Sequence, residues 1–168
     1  MAFFPLLLAE SFGYTTIVIG WVITIYYVFG TISSVIMGKL SDYFKNSSLI
    51  VVLLFFGTLS LVLMPIPDKI WGLFALMILL ATTLGPSQGP ILSVMAEMVD
   101  DKSRASSVGL LYTTNEIAGA ISPFVGGLIA QAVGLRLSFL FYALISLLAT
   151  GAGVMVYRLR ERQLLAGG

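Results

Sequence analysis

The chain has 168 residues, of which 58% are hydrophobic and only 10% are charged, and its mean hydropathy is +1.02. A soluble domain carries about 25% charged residues and could not bury this much apolar surface at this size, so the composition excludes a soluble globular protein and indicates a membrane protein. The absence of Cys and His excludes disulfide scaffolds, thiol catalysis and the common zinc and haem sites, and a net charge of +1 points to no nucleic acid or other polyanionic partner.

The apolar stretches predict one partial and five full membrane spans. The first stretch, within residues 2–10, has only seven consecutive apolar residues, 2–8, which cover about a third of a bilayer at 1.5 Å per residue. The full spans follow in chain order at about residues 16–37, 48–67, 70–98, 106–133 and 135–157. We therefore expect a single all-α, polytopic membrane helix bundle that ends in a polar tail at residues 158–168.

The basic residues are distributed unevenly over the connections between these spans. Two of the nine, Lys69 and Arg136, belong to connections on one side of the membrane. The other seven belong to the opposite side: Lys39, Lys45, Lys102, Arg104, Arg158, Arg160 and Arg162. Because basic loops remain in the cytoplasm, we expect a multi-pass protein of the cell membrane with a cytoplasmic C-terminus.

The span at residues 16–37 carries polar and small residues at spacings of three and four, which lie on one helix face. They are Thr24, Tyr27, Thr31, Ser34 and Gly38. We expect this face mainly to pack against a neighbouring helix, and keep Thr24 and Tyr27 as candidates for lining a solute cavity.

The loop after this span, GKLSDYFKNSS at residues 38–48, contains a recognisable pattern. It resembles the cytoplasmic loop between the second and third helices of each half of a major facilitator superfamily transporter. Gly38, Leu40 and Asp42 match the family pattern, whereas Tyr43 stands where the family has Arg. The glycine would allow a close helix approach and the aspartate could cap the next helix, although an ordinary solvated loop is the alternative.

Two later segments resemble the same family. Residues 96–109 are similar to its turn between the fourth and fifth helices, and residues 119–128, GAISPFVGGL, to the glycine-rich, proline-bearing signature of its fifth helix. The matching positions are Pro123, Gly126 and Gly127, while Ser122 replaces the usual glycine. The resemblance covers nearly the whole chain and implies one six-helix half of a twelve-helix transporter, with the C-terminal half expected and its first helix truncated.

The span at residues 70–98 contains the helix-breaking run TTLGPSQGPIL. Pro86 and Pro90 each free a backbone carbonyl one turn earlier and bend a helix. Small residues suited to close helix packing recur every four positions along one face: Gly85, Gly89 and Ser93. Gln88 lies off that face as a candidate solute contact. Our hypothesis is a loosened helix beside a transport cavity, and the alternative is a static kink used for packing.

The span at residues 106–133 carries a polar arc along one face: Tyr112, Asn115, Glu116, Gly119, Ser122, Pro123 and Gly126. Glu116 lies ten residues beyond Ser106 and so about 15 Å into a ~30 Å apolar core. An ionised carboxylate at that depth costs several kcal/mol, so we expect it to be paired or protonated. Our hypothesis is that Glu116 binds and releases a proton or holds a cationic substrate, with Asn115 and Tyr112 beside it. A permanently neutral structural acid is the alternative.

Near the basic side of the membrane, Glu97 and Arg104 are candidates for a charge latch that closes the cytoplasmic side. The alternative is a solvated ion pair worth under ~1 kcal/mol.

These features together predict a secondary active transporter, not an enzyme, that moves a small organic solute by alternating access as a proton symporter or antiporter. We expect no cofactor and no metal. A second six-helix half, as a separate chain or a second copy, would complete the transporter in the lipid bilayer. The competing interpretation is a truncated, non-transporting fragment or a membrane scaffold that needs a partner half.

Overall fold

The computed structural model describes residues 3–41, 43–44 and 46–166, which are almost entirely helical. The described structure is 88% helical, and the described residues contain no strand. In order, the helices are α1 (Phe3–Phe12), α2 (Thr16–Ser41), α3 (Asn46–Leu63), α4 (Ile70–Thr83), α5 (Gln88–Met98), α6 (Asp101–Val133) and α7 (Leu135–Ala166). This architecture confirms the predicted all-α membrane helix bundle.

Several helix ends differ from the predicted spans for identifiable reasons. The third helix ends at Leu63 instead of near residue 67, because residues preceding a proline avoid helical backbone and Pro65 and Pro67 follow. α6 begins five residues earlier than predicted, with Asp101 in its first turn, where a negative charge faces the positive end of the helix dipole. α7 continues to Ala166, through most of the predicted tail.

Four helical segments of the described chain are long and apolar enough to cross a membrane. They are residues 16–41, 70–98, 101–133 and 135–158, whereas α3 is a shorter apolar helix. The segment at 70–98 is one span made of two helices, since α4 ends at Thr83 and α5 begins at Gln88. The sequence predicted a bend here, and in the structure four residues in hydrogen-bonded turns, 84–87, interrupt the regular helix, with Leu84 and Ser87 still in right-handed helical backbone conformations.

The helix contacts define two sides of the bundle. α3 contacts α4, α5 and α7, while α2 packs on α4 and α6 on α7. We call α3, α4 and α7 the back of the bundle. On the other side, α1 and α5 each contact both α2 and α6. The outward surfaces of α2 and α6 form what we call the front face, and Gly126 is the only described residue of α6 that is buried.

The short helix α1 is firmly packed despite its length. Phe4, Leu7 and Leu8 are at most 2% exposed, and they join a core cluster drawn from most of the other helices. The other members are Ile19, Val22, Leu61, Met64, Leu73, Met77, Leu80, Phe139 and Ala143. The partial first span therefore serves as an anchor for one end of the bundle.

At that same end, three connections lie together. Arg136, which follows the one-residue turn at Gly134, donates from Nη1 to Asp68 Oδ1 at 2.9 Å and lies over the ring of Phe12 at 5.7 Å. Gly134 has a φ of +90°, a conformation that favours glycine. These contacts put the α1–α2, α3–α4 and α6–α7 connections on one side, as the alternation of spans requires.

Candidate functional site

The break in the span at 70–98 is supported by a hydrogen bond from α2. Pro86 has no backbone N–H, so the carbonyl of Thr82, four residues earlier, has no helical donor. Ser33 of α2, which is only 6% exposed, donates its hydroxyl to that carbonyl at 2.9 Å. One turn earlier on α2, a Cβ added at Gly30 would lie 3.4 Å from the carbonyl oxygen of Ala81. A broken backbone inside a membrane span is thereby satisfied by protein, as hydrocarbon surroundings demand.

On its other side, the break packs against α3. A Cβ added at Gly57 would lie 2.5 Å from Leu84 Cδ2 and 2.8 Å from its Cγ, so only glycine fits there without a shift. Within the break, the Ser87 hydroxyl donates to the Leu84 carbonyl at 2.6 Å. The four residues 84–87 therefore adopt a defined turn held from two sides.

A cavity of about 420 Å³ lies next to this turn, within the size range of small-molecule sites. Its walls come from all seven helices and from the turn itself, and most are apolar. Its polar residues are Tyr26, Ser87, Gln88, Ser122, Tyr142 and Ser146. No Asp, Glu, Lys or Arg of the described chain lines it.

Tyr142 connects two walls of the cavity. Its hydroxyl donates to the carbonyl of Ser122 at 3.0 Å and lies 3.5 Å from the Ser122 hydroxyl oxygen. Ser122 immediately precedes Pro123, so this bond holds α6 to α7 beside the proline inside α6. The bond therefore holds this wall of the cavity in place next to Pro123, which has no backbone N–H to donate within α6.

The predicted solute and proton residues separate into two groups. Gln88 lines the cavity, together with Ser122, which the sequence assigned to helix packing, whereas Tyr112, Asn115 and Glu116 are exposed on α6. Thr24 and Tyr27 are exposed on α2.

Glu116 itself lies near the middle of α6, on the front face. Among the described residues its carboxylate forms no hydrogen bond and no ion pair. Thr24, by contrast, donates its hydroxyl to the Gly20 carbonyl at 2.9 Å and so is satisfied by its own helix. The carboxylate of Glu116 therefore has no partner among the described residues.

The close helix approaches expected at several glycines are absent from the described chain. Gly85 and Gly89 are exposed, and a Cβ added at Gly89 or Gly38 would meet no atom within 4 Å. The same holds for Gly127, while Gly126 is buried and Ser93 is partly buried. The glycines that do admit a neighbouring helix are Gly30, Gly57 and Gly153, because the surfaces carrying Gly38 and Gly89 point away from the bundle.

At the end of the bundle that carries most of the basic residues, the charge latch proposed for Glu97 and Arg104 stays a prediction. Arg104 forms an ion pair with Asp101 of the same helix at 2.8 Å, and Glu97 is exposed. Leu40 is partly buried, and Asp42 lies outside the described residues.

The polar side chains of α7 that face the rest of the bundle were not predicted from the sequence. Tyr142 and Ser146 line the cavity, and the Ser146 hydroxyl lies 2.7 Å from that of Thr58 on α3. A signal was present, since polar residues recur every four positions along this span: Ser138, Tyr142, Ser146 and Thr150.

A comparison with protein families places these features in context. The family model described as Major Facilitator Superfamily matches residues 1–166. No curated protein matches the chain. The family match covers almost the full length and confirms the resemblance drawn from the loop after α2 and the glycine- and proline-bearing segment of α6.

Proposed function

The chain belongs to the Major Facilitator Superfamily, a family of membrane transporters, and from that premise we propose that it moves a small organic solute by alternating access. Transport is coupled to protons through Glu116, in symport or antiport. The basic loops and the C-terminus face the cytoplasm, and the protein lies in the cell membrane. The matched family consists of transporters and not of enzymes, which agrees with the expectation that this chain catalyses no reaction. The match also favours a transporter over a non-transporting fragment.

The observation that carries this proposal is the break at residues 84–87, which borders the cavity inside a membrane span. A broken span in hydrocarbon is costly unless it lines a cavity or is buried in protein. Because Pro86 and Pro90 each remove a backbone donor, fewer backbone hydrogen bonds join α4 to α5 than in a regular helix, and a change in their relative angle costs less. Such a joint suits a protein whose cavity opens alternately to either side.

Glu116 is the proposed proton site. An ionised acid near the middle of a membrane helix is costly without a partner, so this carboxylate takes up a proton when its surroundings close and releases it when water reaches it. Ser122, six residues further along α6, lines the cavity. A change of charge at Glu116 therefore acts on the same helix that forms one wall of the solute site.

The front face is where a second six-helix half would pack. α6 is almost entirely exposed in this chain, yet it carries an acid and several small residues, a surface poorly suited to lipid. We propose that a second half, as a separate chain or a second copy, covers it. Co-purification from native membranes, followed by mass determination of the complex, identifies which of the two is present.

The proton role is tested with purified protein in lipid vesicles that contain a pH-sensitive dye. A panel of small organic solutes is added outside, and a solute that the protein carries produces a pH change inside. We expect Glu116→Gln to reduce this pH change at least about tenfold, because an amide cannot exchange the proton. The measured quantity is the initial rate of dye response per protein.

Glu10→Gln is the matched control. Glu10 is also an exposed carboxylate, but it lies in α1 outside the proposed site, so its removal is expected to leave the rate unchanged. A solute-dependent pH change that persists at full rate in Glu116→Gln refutes the coupling role.

A further inference from the structure

We propose that the membrane is thinner beside α3 than around the rest of the chain, and that this side of the back selects lipids with short acyl chains. The inference concerns the lipid partner of the bundle and goes beyond the proposed transport function. It depends only on the chain lying in a membrane, so it fails or holds separately from the proton role of Glu116.

α3 is short for a helix that crosses a membrane. Its 18 residues, Asn46–Leu63, measure about 27 Å, whereas a typical hydrocarbon core is about 30 Å thick. The first three residues are polar, and the remainder, residues 49–63, measures only about 22 Å. The segments that are long enough to cross have 24 to 33 residues. A hydrocarbon core that matched α3 would therefore be about 3–8 Å thinner than a typical one.

Contacts with α7 show at which end α3 falls short. The Thr58 and Ser146 hydroxyls lie 2.7 Å apart. Further along α3, Asp68 is paired with Arg136 at 2.9 Å. Between these two contacts α7 advances ten residues as helix, about 15 Å, whereas α3 continues for only five residues, about 7.5 Å. The non-helical residues 64–68 cover the remaining distance.

These non-helical residues place headgroups at the end of α3. Pro65 and Pro67 have no backbone N–H, and Ile66 donates to the Leu63 carbonyl at 3.1 Å, in a turn instead of a helix. Ile66 is 66% exposed, so the turn lies on the surface. Irregular backbone that faces lipid does not occur within the hydrocarbon region. The hydrocarbon beside α3 therefore ends near Leu63, about 7.5 Å before the level of the ion pair at Asp68.

The outward surface of α3 is suited to lipid and not to another helix. Its exposed residues are all bulky and apolar, and recur at spacings of three and four: Val52, Phe55, Phe56, Leu59 and Val62. Close packing between membrane helices uses small and hydroxyl residues, and α3 buries those that it has at Gly57, Thr58 and Ser60. The surface is also continuous with exposed leucines of the neighbouring α7, Leu144 and Leu148. Lipid acyl chains are therefore the partner that fits it.

Aromatic side chains lie beyond both ends of α3. Tyr43 and Phe44 precede the helix and are exposed. At the other end Trp71, the second residue of α4, is 79% exposed. It adjoins the turn, since a Cβ added at Gly72 would lie 2.9 Å from Pro67. Because Trp and Tyr concentrate at the headgroup level, these positions indicate headgroups at the two ends of a helix of about 27 Å.

The test uses the two tryptophans of the chain as reporters. Trp71 reports on the side of α3, and Trp21 is exposed on α2, a helix of 26 residues. Trp21→Phe and Trp71→Phe each leave one tryptophan in the full chain. Each variant is reconstituted in vesicles that mix dibromostearoyl phosphatidylcholine, a quencher, with dimyristoleoyl, dioleoyl or dierucoyl phosphatidylcholine. The remaining fluorescence gives the relative affinity of each unbrominated lipid for the surface beside the tryptophan.

We expect the surface at Trp71 to bind the short dimyristoleoyl lipid at least about threefold more tightly than the long dierucoyl lipid, because mismatch costs a fraction of a kcal/mol per Å. Trp21 is the matched control, and no preference for the short lipid is expected there, whether lipid or a second half covers it. Replacing both prolines, Pro65→Leu with Pro67→Leu, allows α3 to continue as a helix. In that variant the preference at Trp71 is expected to move toward the dioleoyl lipid.

Each contrary result overturns the inference. Equal affinities at Trp71, or tightest binding of the long lipid, show that the membrane is not thinned beside α3. The same preference for the short lipid at both tryptophans assigns the thickness to the whole chain, and a Trp71 that no brominated lipid quenches shows that protein covers this surface. A preference that the double proline variant leaves unchanged is not set by the end of α3. If that variant fails to fold, the comparison of Trp71 with Trp21 still decides.

Discussion

Hydroxyl side chains at the back of the bundle join one helix to another, whereas the exposed threonines of the front helices bond to their own backbone. At the back, the Thr58 and Ser146 hydroxyls lie 2.7 Å apart between α3 and α7, and Ser60 of α3 donates to a carbonyl of α4 at 2.8 Å. On α2 and α6, four exposed threonines donate to the carbonyl four residues earlier: Thr24, Thr31, Thr113 and Thr114. Whether a Ser or Thr hydroxyl bonds to another helix or to its own backbone therefore indicates whether that surface of its helix packs against another helix of the chain.

The glycines divide in the same way. A Cβ added at Gly57 or Gly153 of the back helices would meet side chains of a neighbouring helix, whereas one added at Gly109 or Gly119 of α6 would meet nothing within 4 Å. In lipid, helix association depends on such close packing, because burial of apolar surface contributes little. The back helices are therefore closely packed against one another, whereas these positions of the front face have no helix packed against them in the described chain.

The largest expected difference between the back and the front is in the free energy of unfolding after a glycine-to-alanine substitution, which adds one methyl group. Gly57→Ala forces a shift of Leu84, and we expect it to lower the free energy of unfolding by about 1–3 kcal/mol through overpacking. Gly119→Ala adds a methyl to open space and replaces a helical glycine, so we expect a gain of up to about 1 kcal/mol. Equilibrium unfolding in mixed detergent micelles, followed by circular dichroism, measures both.

A similar loss in the two variants would mean that α6 is packed against the rest of the chain after all, and the distinction between front and back would fail. If a second half covers the front face, Gly119→Ala is also expected to weaken co-purification of that half, while the isolated chain stays stable.

The next effect tests the hydrogen bond that crosses from α2 to the break. We expect Ser33→Ala to cost about 0.6–1.7 kcal/mol of unfolding free energy, the range found for hydrogen bonds between membrane helices. Pro86→Ala restores a backbone N–H that can reach the Thr82 carbonyl, so in that background Ser33→Ala should cost much less. The coupling free energy of the four-variant cycle, measured by the same unfolding experiment, is the quantity of interest.

Ser34→Ala is the control for this cycle. Ser34 neighbours Ser33 on α2, but its hydroxyl donates to Gly30 of its own helix at 2.8 Å. Its removal should be nearly neutral and independent of Pro86. If Ser33→Ala costs the same with and without the proline, the hydroxyl does not replace the missing donor.

A feature of this structure can be predicted from the sequence when it depends on residues that are close together in the chain. Apolar length predicts the spans, and Pro86 predicts a disruption, because both act within one helix. The partner of the freed carbonyl, Ser33, is 49 positions from Thr82 and carries no local mark. The cavity likewise depends on which face each helix turns inward, so Gln88 and Ser122 were predicted as site residues, but their shared wall with Tyr142 was not.

The smallest expected effect lies at the end of the bundle where Arg136 joins α7 to α1 and to the α3–α4 connection. Arg136 of α7 pairs with Asp68 and lies over Phe12 of α1, with the two charged side chains 38% and 85% exposed. Exposed ion pairs contribute up to about 1 kcal/mol, and an exposed cation–π contact about 0.5–1 kcal/mol. We expect Arg136→Gln to cost about 1 kcal/mol, measured by micelle unfolding, and the part due to the ion pair to decrease at high salt.

Arg104→Gln is its matched control, since the pair of Arg104 with Asp101 lies within one turn of α6 and joins nothing distant. It should cost no more than about 0.5 kcal/mol. If Arg136→Gln instead costs more than Gly57→Ala, the fold is held mainly at its ends, and the packed back is not the dominant source of stability. A cost equal to that of Arg104→Gln would mean that α1 is held by Phe4, Leu7 and Leu8 alone, which their near-complete burial allows.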